Sequence, residues 1–245
     1  MKLERKLYQN ISTKGQEVVS IYPTATLAER LNTYQSSNSL IVFDLDDTIC
    51  DSIGRKMVWQ GLKRRQSLAG NIKVGLYALR EYIILTDPLE SETAIFKYWL
   101  EKVYYQLSEE EQHQLVDRSK TTPYSGIEDT LNNFSQAYKT IISRNIFPVV
   151  NWAQKELNLN SGQARVYNKP GQVHSLVLWG QRNKVLVFGD SPLDFEMVDS
   201  VRRLGVQTDV VSVASSVKKS VRKYRGQATI HIPRDYRGLN ELMKG

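Results

Sequence analysis

A chain of 245 residues, 41% of them hydrophobic, can bury a substantial core as one large domain or as a core with a smaller insert. No apolar run approaches the ~20 residues of a membrane-spanning helix, and the opening "MKLERKLYQNIS" lacks the apolar centre of a signal peptide; a cytoplasmic protein with no membrane partner is expected. The formal charge of +7 is concentrated in "RKMVWQGLKRRQ" (55–66) and "KKSVRKYR" (218–225), which attract phosphates of any kind but also read as helices with solvated basic faces. With no zinc-finger spacing and no RNA-binding signature, nucleic acid is a possible but disfavoured partner.

In chain order, "EVVSIYP" (17–23) reads as a short strand and "TATLAERLNTY" (24–34) as a helix with Thr24 or Thr26 near its cap. "SLIVFDL" (39–45) reads as a buried strand that ends in the crowded carboxylates of Asp44, Asp46 and Asp47. The one cysteine, Cys50, can form no internal disulfide and suggests no zinc site; a small buried residue beside a strand end is expected.

From 53 to 122 the period changes. Apolar residues recur at helical spacing in "GLYALREYIIL" (75–85) and "TAIFKYWLEKVYYQL" (93–107), and Ser108 with Glu111 forms a capping-box pattern. An all-helical insert is expected, its aromatics packed inward. It divides an α/β core of residues 1–52 and 123–245, in which 1–38 is an extension of unassigned role.

After Pro123 the alternation returns. Helices are expected in "GIEDTLNNFSQA" (126–137), "PVVNWAQKEL" (148–157), "GQVHSLVLWGQ" (171–181) and "FEMVDSVRRL" (195–204). Strands are expected in "YKTIIS" (138–143), "ARVYN" (164–168), "KVLVFGD" (184–190), "TDVVSVA" (208–214) and "ATIHI" (228–232). Strands separated by helices need crossover connections, which implies a Rossmann-like parallel sheet covered by helices on both faces. Ligands of such sheets sit at the carboxyl ends of the strands.

Polar residues gather at those ends. Asp44 and Asp46 leave one strand, Ser143 ends another, Lys169 follows a third, and Asp190 ends a fourth with Asp194 just beyond. Each alone has a plain reading as a cap, a turn or a solvated charge. Together they bring several carboxylates, a hydroxyl and an ammonium to one edge. Carboxylates so close raise one another's pKa unless a cation neutralises them, and an all-oxygen set suits Mg²⁺, which readily also holds a phosphate. A carboxylate there can attack phosphorus, and a second one two residues on can act as acid and base.

The set "DLDDT" (44–48), Ser143 after an apolar strand, Lys169 in "NKPG" and "GDSPLD" (189–194) resembles the four motifs of the haloacid dehalogenase superfamily in their usual order. The resemblance covers 39–54 and 123–245 and implies a magnesium-dependent phosphoryl-transfer enzyme; a phosphohydrolase acting on a small phosphorylated metabolite through an aspartyl-phosphate is the expected one. It implies Asp44 as nucleophile, Asp46 as general acid/base, and Ser143 and Lys169 as phosphate ligands with Thr48 and Arg144 beside them. Asp44, Asp46, Asp190 and Asp194 would hold the metal, Asp46 through its backbone carbonyl. The insert 53–122 resembles the family's helical cap. Asp46 argues against a dehalogenase, which needs no acid at that position. Phosphomutase, nucleotide or nucleic-acid-end phosphatase, and non-catalytic nucleic-acid binder stay open. The three histidines, His113, His174 and His231, show no metal-ligand spacing.

Overall fold

The computed structural model describes residues 8–13, 16–64, 88–224 and 226–244. The chain divides into two compact units, 1–51 with 122–245, and 52–121.

The larger unit is built on one sheet of eight strands: β1 (Gln9–Thr13), β2 (Gln16–Ser20), β3 (Ser39–Phe43), β4 (Tyr138–Ile142), β5 (Ser161–Gln163), β6 (Lys184–Gly189), β7 (Gln207–Ala214) and β8 (Ile230–Pro233). Their order is β1-β2-β8-β7-β6-β3-β4-β5. All pairs from β8 to β5 are parallel, and β1–β2 and β2–β8 are antiparallel. The helices of this unit are α1 (Thr24–Asn32), α5 (Ile127–Asn133), α6 (Phe147–Glu156), α7 (Lys169–Trp179), α8 (Pro192–Phe195), α9 (Asp199–Arg202), α10 (Val217–Tyr224) and α11 (Arg237–Met243).

Every residue of β3 is buried, as a central strand covered on both faces requires. On one face, Leu40, Val42, Val185, Val187 and Val210 form a core with Val173 and Val177 of α7. On the other, the register partners Phe43 and Phe188 stack at 4.5 Å, and the ring of Tyr236 lies 5.8 Å from Phe188. From β3 the chain turns first to β4 on one side and later to β6 on the other, so the strand order reverses at β3. The crevice beyond the carboxyl end of β3 is therefore where a ligand is expected.

Two departures from the sequence reading have physical causes. The strand expected at "ARVYN" lies earlier, at Ser161–Gln163, because Arg165 takes a φ of 58° and the backbone of 163–166 serves the loop after β4. "FEMVDSVRRL" is not one helix; α8 gives way to a 3-10 turn at Glu196–Val198 before α9. Thr24, the first residue of α1, stands next to the cap as expected; the N-cap itself is Pro23, with no side-chain cap bond.

The described residues before 39 extend the sheet by β1 and β2 and add α1. Asp209, fully buried on β7, is their anchor: it accepts from Tyr22 Oη at 3.0 Å, Arg30 Nε at 2.7 Å and Tyr34 Oη at 2.7 Å. Asp209→Ala should lower stability in urea unfolding by about 3 kcal/mol, because it strands the guanidinium and two hydroxyls. A loss below about 1 kcal/mol would mean that water replaces the carboxylate without cost.

His231 of β8 is fully buried, with Nδ1 2.8 Å from Ser220 Oγ and Nε2 without a hydrogen-bond partner. Burial pushes its pKa down to about 4. Below the ordinary value of ~6.5 the unfolded chain takes up a proton that the folded chain refuses, so this group's contribution falls as pH drops from ~6.5 to ~4, by about 2–3 kcal/mol in all. Urea unfolding of wild type and His231→Gln between pH 7.5 and 4.5 reads it: the stability gap between them should narrow or reverse as pH falls. A constant gap would refute the assignment.

The smaller unit holds α2 (Ile53–Arg64), α3 (Pro88–Lys102) and α4 (Glu109–Ser119), with a 3-10 turn at Tyr104–Gln106. The expected helix at 75–85 lies outside the described residues. Trp99 is fully buried, and a Cβ on Gly61 would come within 2.6 Å of its ring, so the glycine permits α2 to lie against the indole. At the start of α4 the capping box is formed: Glu111 N donates to Ser108 Oγ at 3.3 Å and Ser108 N to Glu111 Oε2 at 2.9 Å. No described helix is long and apolar enough to cross a membrane.

Candidate active site

The site begins at the carboxyl end of β3. Asp44 N donates to the Phe188 carbonyl at 3.0 Å, which carries the β3–β6 ladder one residue past the strand and sets Asp44 beside the end of β6. Asp190 follows β6 directly, and Asp194 lies in α8. Gly189 makes that approach possible: a Cβ there would stand 2.3 Å from Asp194 Cβ.

Carboxylate oxygens of Asp44, Asp190 and Asp194 lie within 4.8 Å of one another. The ammonium of Lys169, the first residue of α7, enters between two of them, donating to Asp44 Oδ1 at 2.7 Å and Asp194 Oδ1 at 2.5 Å. Lys169 is only 4% exposed, Asp44 8% and Asp194 0%, so this pairing occurs out of water. The other oxygen of Asp194 accepts from Ser191 N at 3.1 Å and Ser191 Oγ at 2.6 Å, the cap that starts α8. Asp194 is thus fully engaged, whereas the Asp190 carboxylate accepts no hydrogen bond among the described residues. Tyr224 Oη donates to the Asp190 backbone carbonyl and fixes the loop.

One ammonium does not neutralise three carboxylates. Burial pushes the Asp44 carboxyl up to about 7, with Lys169 opposing and Asp194 adding to the rise. Burial, then Asp194 and Asp44, hold Asp190 well above the ordinary carboxylate range. Burial alone would lower the Lys169 pKa, but the two carboxylates outweigh it and keep the ammonium charged. A pocket short of positive charge and lined by oxygen ligands is chemically suited to a hard divalent cation such as Mg²⁺.

Asp46 is not part of the three-carboxylate group; its Oδ2 accepts from Asn145 Nδ2 at 3.1 Å. Asn145 is buried, and its own Oδ1 accepts from Ile146 N at 2.8 Å, which fixes the amide orientation. Ser143, on the same loop, is buried and accepts from Asn145 N at 3.1 Å. Its backbone is held by Gln163 and Val166 across the loop, at 2.9 and 3.0 Å. Arg144 lies half-buried between Ser143 and Asn145. Thr48 is fully buried, its Oγ1 has no hydrogen-bond partner among the described residues, and its carbonyl accepts from Tyr236 Oη at 2.9 Å.

Two further aspartates close to Asp44 in sequence are engaged by other side chains. Asp47 sits at a φ of 60° and pairs with Arg234 Nη2 at 2.6 Å. Asp51 accepts from Tyr124 Oη at 2.9 Å. The sequence reading missed Asn145; the only signal was the departure of "SRN" from a glycine-rich turn, and its partner lies 99 residues away.

No protein-family model matches the chain, and no curated protein sequence does. Solved structures do. Cytosolic 5′-nucleotidase IIIB bound to cytidine is similar with a TM-score of 0.60 at 13% identity, over 89% of this chain and 88% of that one. A haloacid-dehalogenase-family hydrolase from Salmonella enterica serovar Typhi gives 0.55 at 12% identity, over 89% and 83%. The phospho-aspartyl intermediate analogue of phosphoserine phosphatase gives 0.53 at 15% identity, over 82% and 97%. The chain has the haloacid-dehalogenase-like fold.

Proposed function

We propose that this chain is a phosphoric monoester hydrolase of the haloacid dehalogenase type. The observation that carries the reading is the meeting of Asp44, Asp190 and Asp194 around Lys169 at the strand-order reversal of the sheet. An Asp44 oxygen attacks phosphorus as the bond to the leaving oxygen breaks, giving an aspartyl-phosphate. Asp46, held by Asn145, gives its proton to that oxygen, then takes one from the water that attacks phosphorus in the second step. Inorganic phosphate leaves and the Asp44 carboxylate is restored. Lys169 and Ser143, with Thr48 and Arg144 nearby, hold the phosphoryl oxygens. Mg²⁺ held by Asp44, Asp190 and the Asp46 carbonyl, with Asp194 supporting, would neutralise charge on the phosphoryl group.

The substrate we favour is a small phosphorylated metabolite. The likeness to a structure bound to cytidine favours nucleoside monophosphates as a second class. The helical unit 52–121 interrupts the chain soon after Asp44, and we assign it the role of a substrate-selecting cap. The test is hydrolysis of p-nitrophenyl phosphate, with Mg²⁺ and with EDTA, followed by a panel of phosphorylated metabolites and nucleotides. Turnover that needs the metal is expected; no release of phosphate from any ester in Mg²⁺ would end the proposal.

A further inference from the structure

Helix α10 carries Lys218, Lys219, Arg222 and Lys223, all exposed. From 210 to 234 the chain has no acidic residue and six basic ones. Three cations in or just past the last turn of other helices are ion-paired with a carboxylate three residues before them: Lys120 with Asp117, Arg202 with Asp199, Lys244 with Glu241. The side chains of Lys218, Lys219 and Arg222 form no ion pair or hydrogen bond among the described residues, and Lys223 meets only the ring of Tyr224, at 4.9 Å. Like charges one helical turn apart (218 with 222, 219 with 223) destabilise a helix, so the row persists against its own repulsion.

The opposite face of α10 is consumed by the core. Val217, Ser220 and Tyr224 are buried, Ser220 Oγ lies 2.6 Å from Ser212 Oγ and 2.8 Å from His231 Nδ1, and Tyr224 packs on Phe195 at 5.0 Å. The helix thus has no apolar face to insert into a bilayer, and its anchoring makes the charged row rigid.

We propose that the exposed face of α10 is a docking surface for the phosphodiester backbone of nucleic acid, read without regard to base sequence. Charge complementarity selects the partner: a regular row of fixed cations suits a regular row of phosphates. This stands independently of the phosphatase reading.

The test is fluorescence anisotropy of the full chain with a labelled single-stranded oligonucleotide of about 20 nucleotides bearing no terminal phosphate, between about 50 and 300 mM salt. Wild type should bind, and log K should fall with log salt at a slope near −3, since four phosphate contacts give about 0.7 each. The variant K218Q/K219Q/R222Q/K223Q should bind about tenfold or more weakly with most of that slope gone. It should melt close to wild type, the relief of mutual repulsion offsetting the lost contact of Lys223 with the Tyr224 ring, and should keep any aryl-phosphate turnover. The pairs K218Q/R222Q and K219Q/K223Q should each remove about half the slope and serve if the quadruple variant misfolds. Equal affinity and slope in the variants would overturn the proposal, as would no wild-type binding at the lowest salt. Binding through these residues to anionic phosphatidylserine vesicles but not to the oligonucleotide would overturn it in favour of a membrane surface.

Discussion

Asp44→Asn should abolish metal-dependent turnover of p-nitrophenyl phosphate, a loss of about three orders of magnitude or more. The substitution is nearly isosteric and its remaining oxygen can still accept from Lys169, now 2.7 Å from Asp44 Oδ1. What disappears is the negative oxygen that the proposed mechanism uses to attack phosphorus. The fold should survive, because the change removes one charge from a buried group of three carboxylates served by a single ammonium. Urea unfolding should therefore show the variant as stable as wild type or more so. Wild-type turnover in this variant would sink the mechanism, whereas joint loss of activity and folding would show that the charge is structural.

The candidate site was legible in the sequence because its parts are local. Each of Asp44, Ser143, Lys169 and Asp190 stands at a strand end or helix start that its own neighbours define. Parallel β-helix-β order then brings such ends to one edge whatever the details. What escaped depends on partners distant in the chain. Asp209 looked like any strand aspartate, because Tyr22, Arg30 and Tyr34 lie more than 170 residues before it. Asn145 looked like a loop residue for the same reason. The polar strand β1, "QNIST", has no apolar run to announce it and forms by pairing with β2. At "ARVYN", β-propensity was real but the backbone was needed elsewhere: Arg165 N and Val166 N donate to the carbonyls of Asn145 and Ser143. The loop after β4 is thereby braced at the expense of the edge strand.

Lys169→Met should be the most damaging single change to the unit that carries the site. The methionine replaces a charged stem of similar length, so packing is nearly kept while the ammonium between Asp44 and Asp194 is lost. Removing one partner of a buried ion pair costs about 3–5 kcal/mol, because the carboxylates left behind are neither hydrated nor paired. In EDTA at neutral pH the unfolding free energy read by urea titration should fall by that amount. Mg²⁺ should restore more stability to the variant than to wild type, since the uncompensated charge of Asp44, Asp190 and Asp194 is then larger. Turnover should not recover with it; in the proposed mechanism the ammonium meets the phosphoryl oxygens, and such a contact is worth about 100-fold to 1000-fold in rate. Lys169→Arg keeps the charge but must fit a larger group where only 4% of the lysine is exposed, and should fall between the two in stability. A Met variant as stable as wild type in EDTA would mean that the carboxylates shed their charge by binding protons. Lys169 would then serve the phosphate and not the fold.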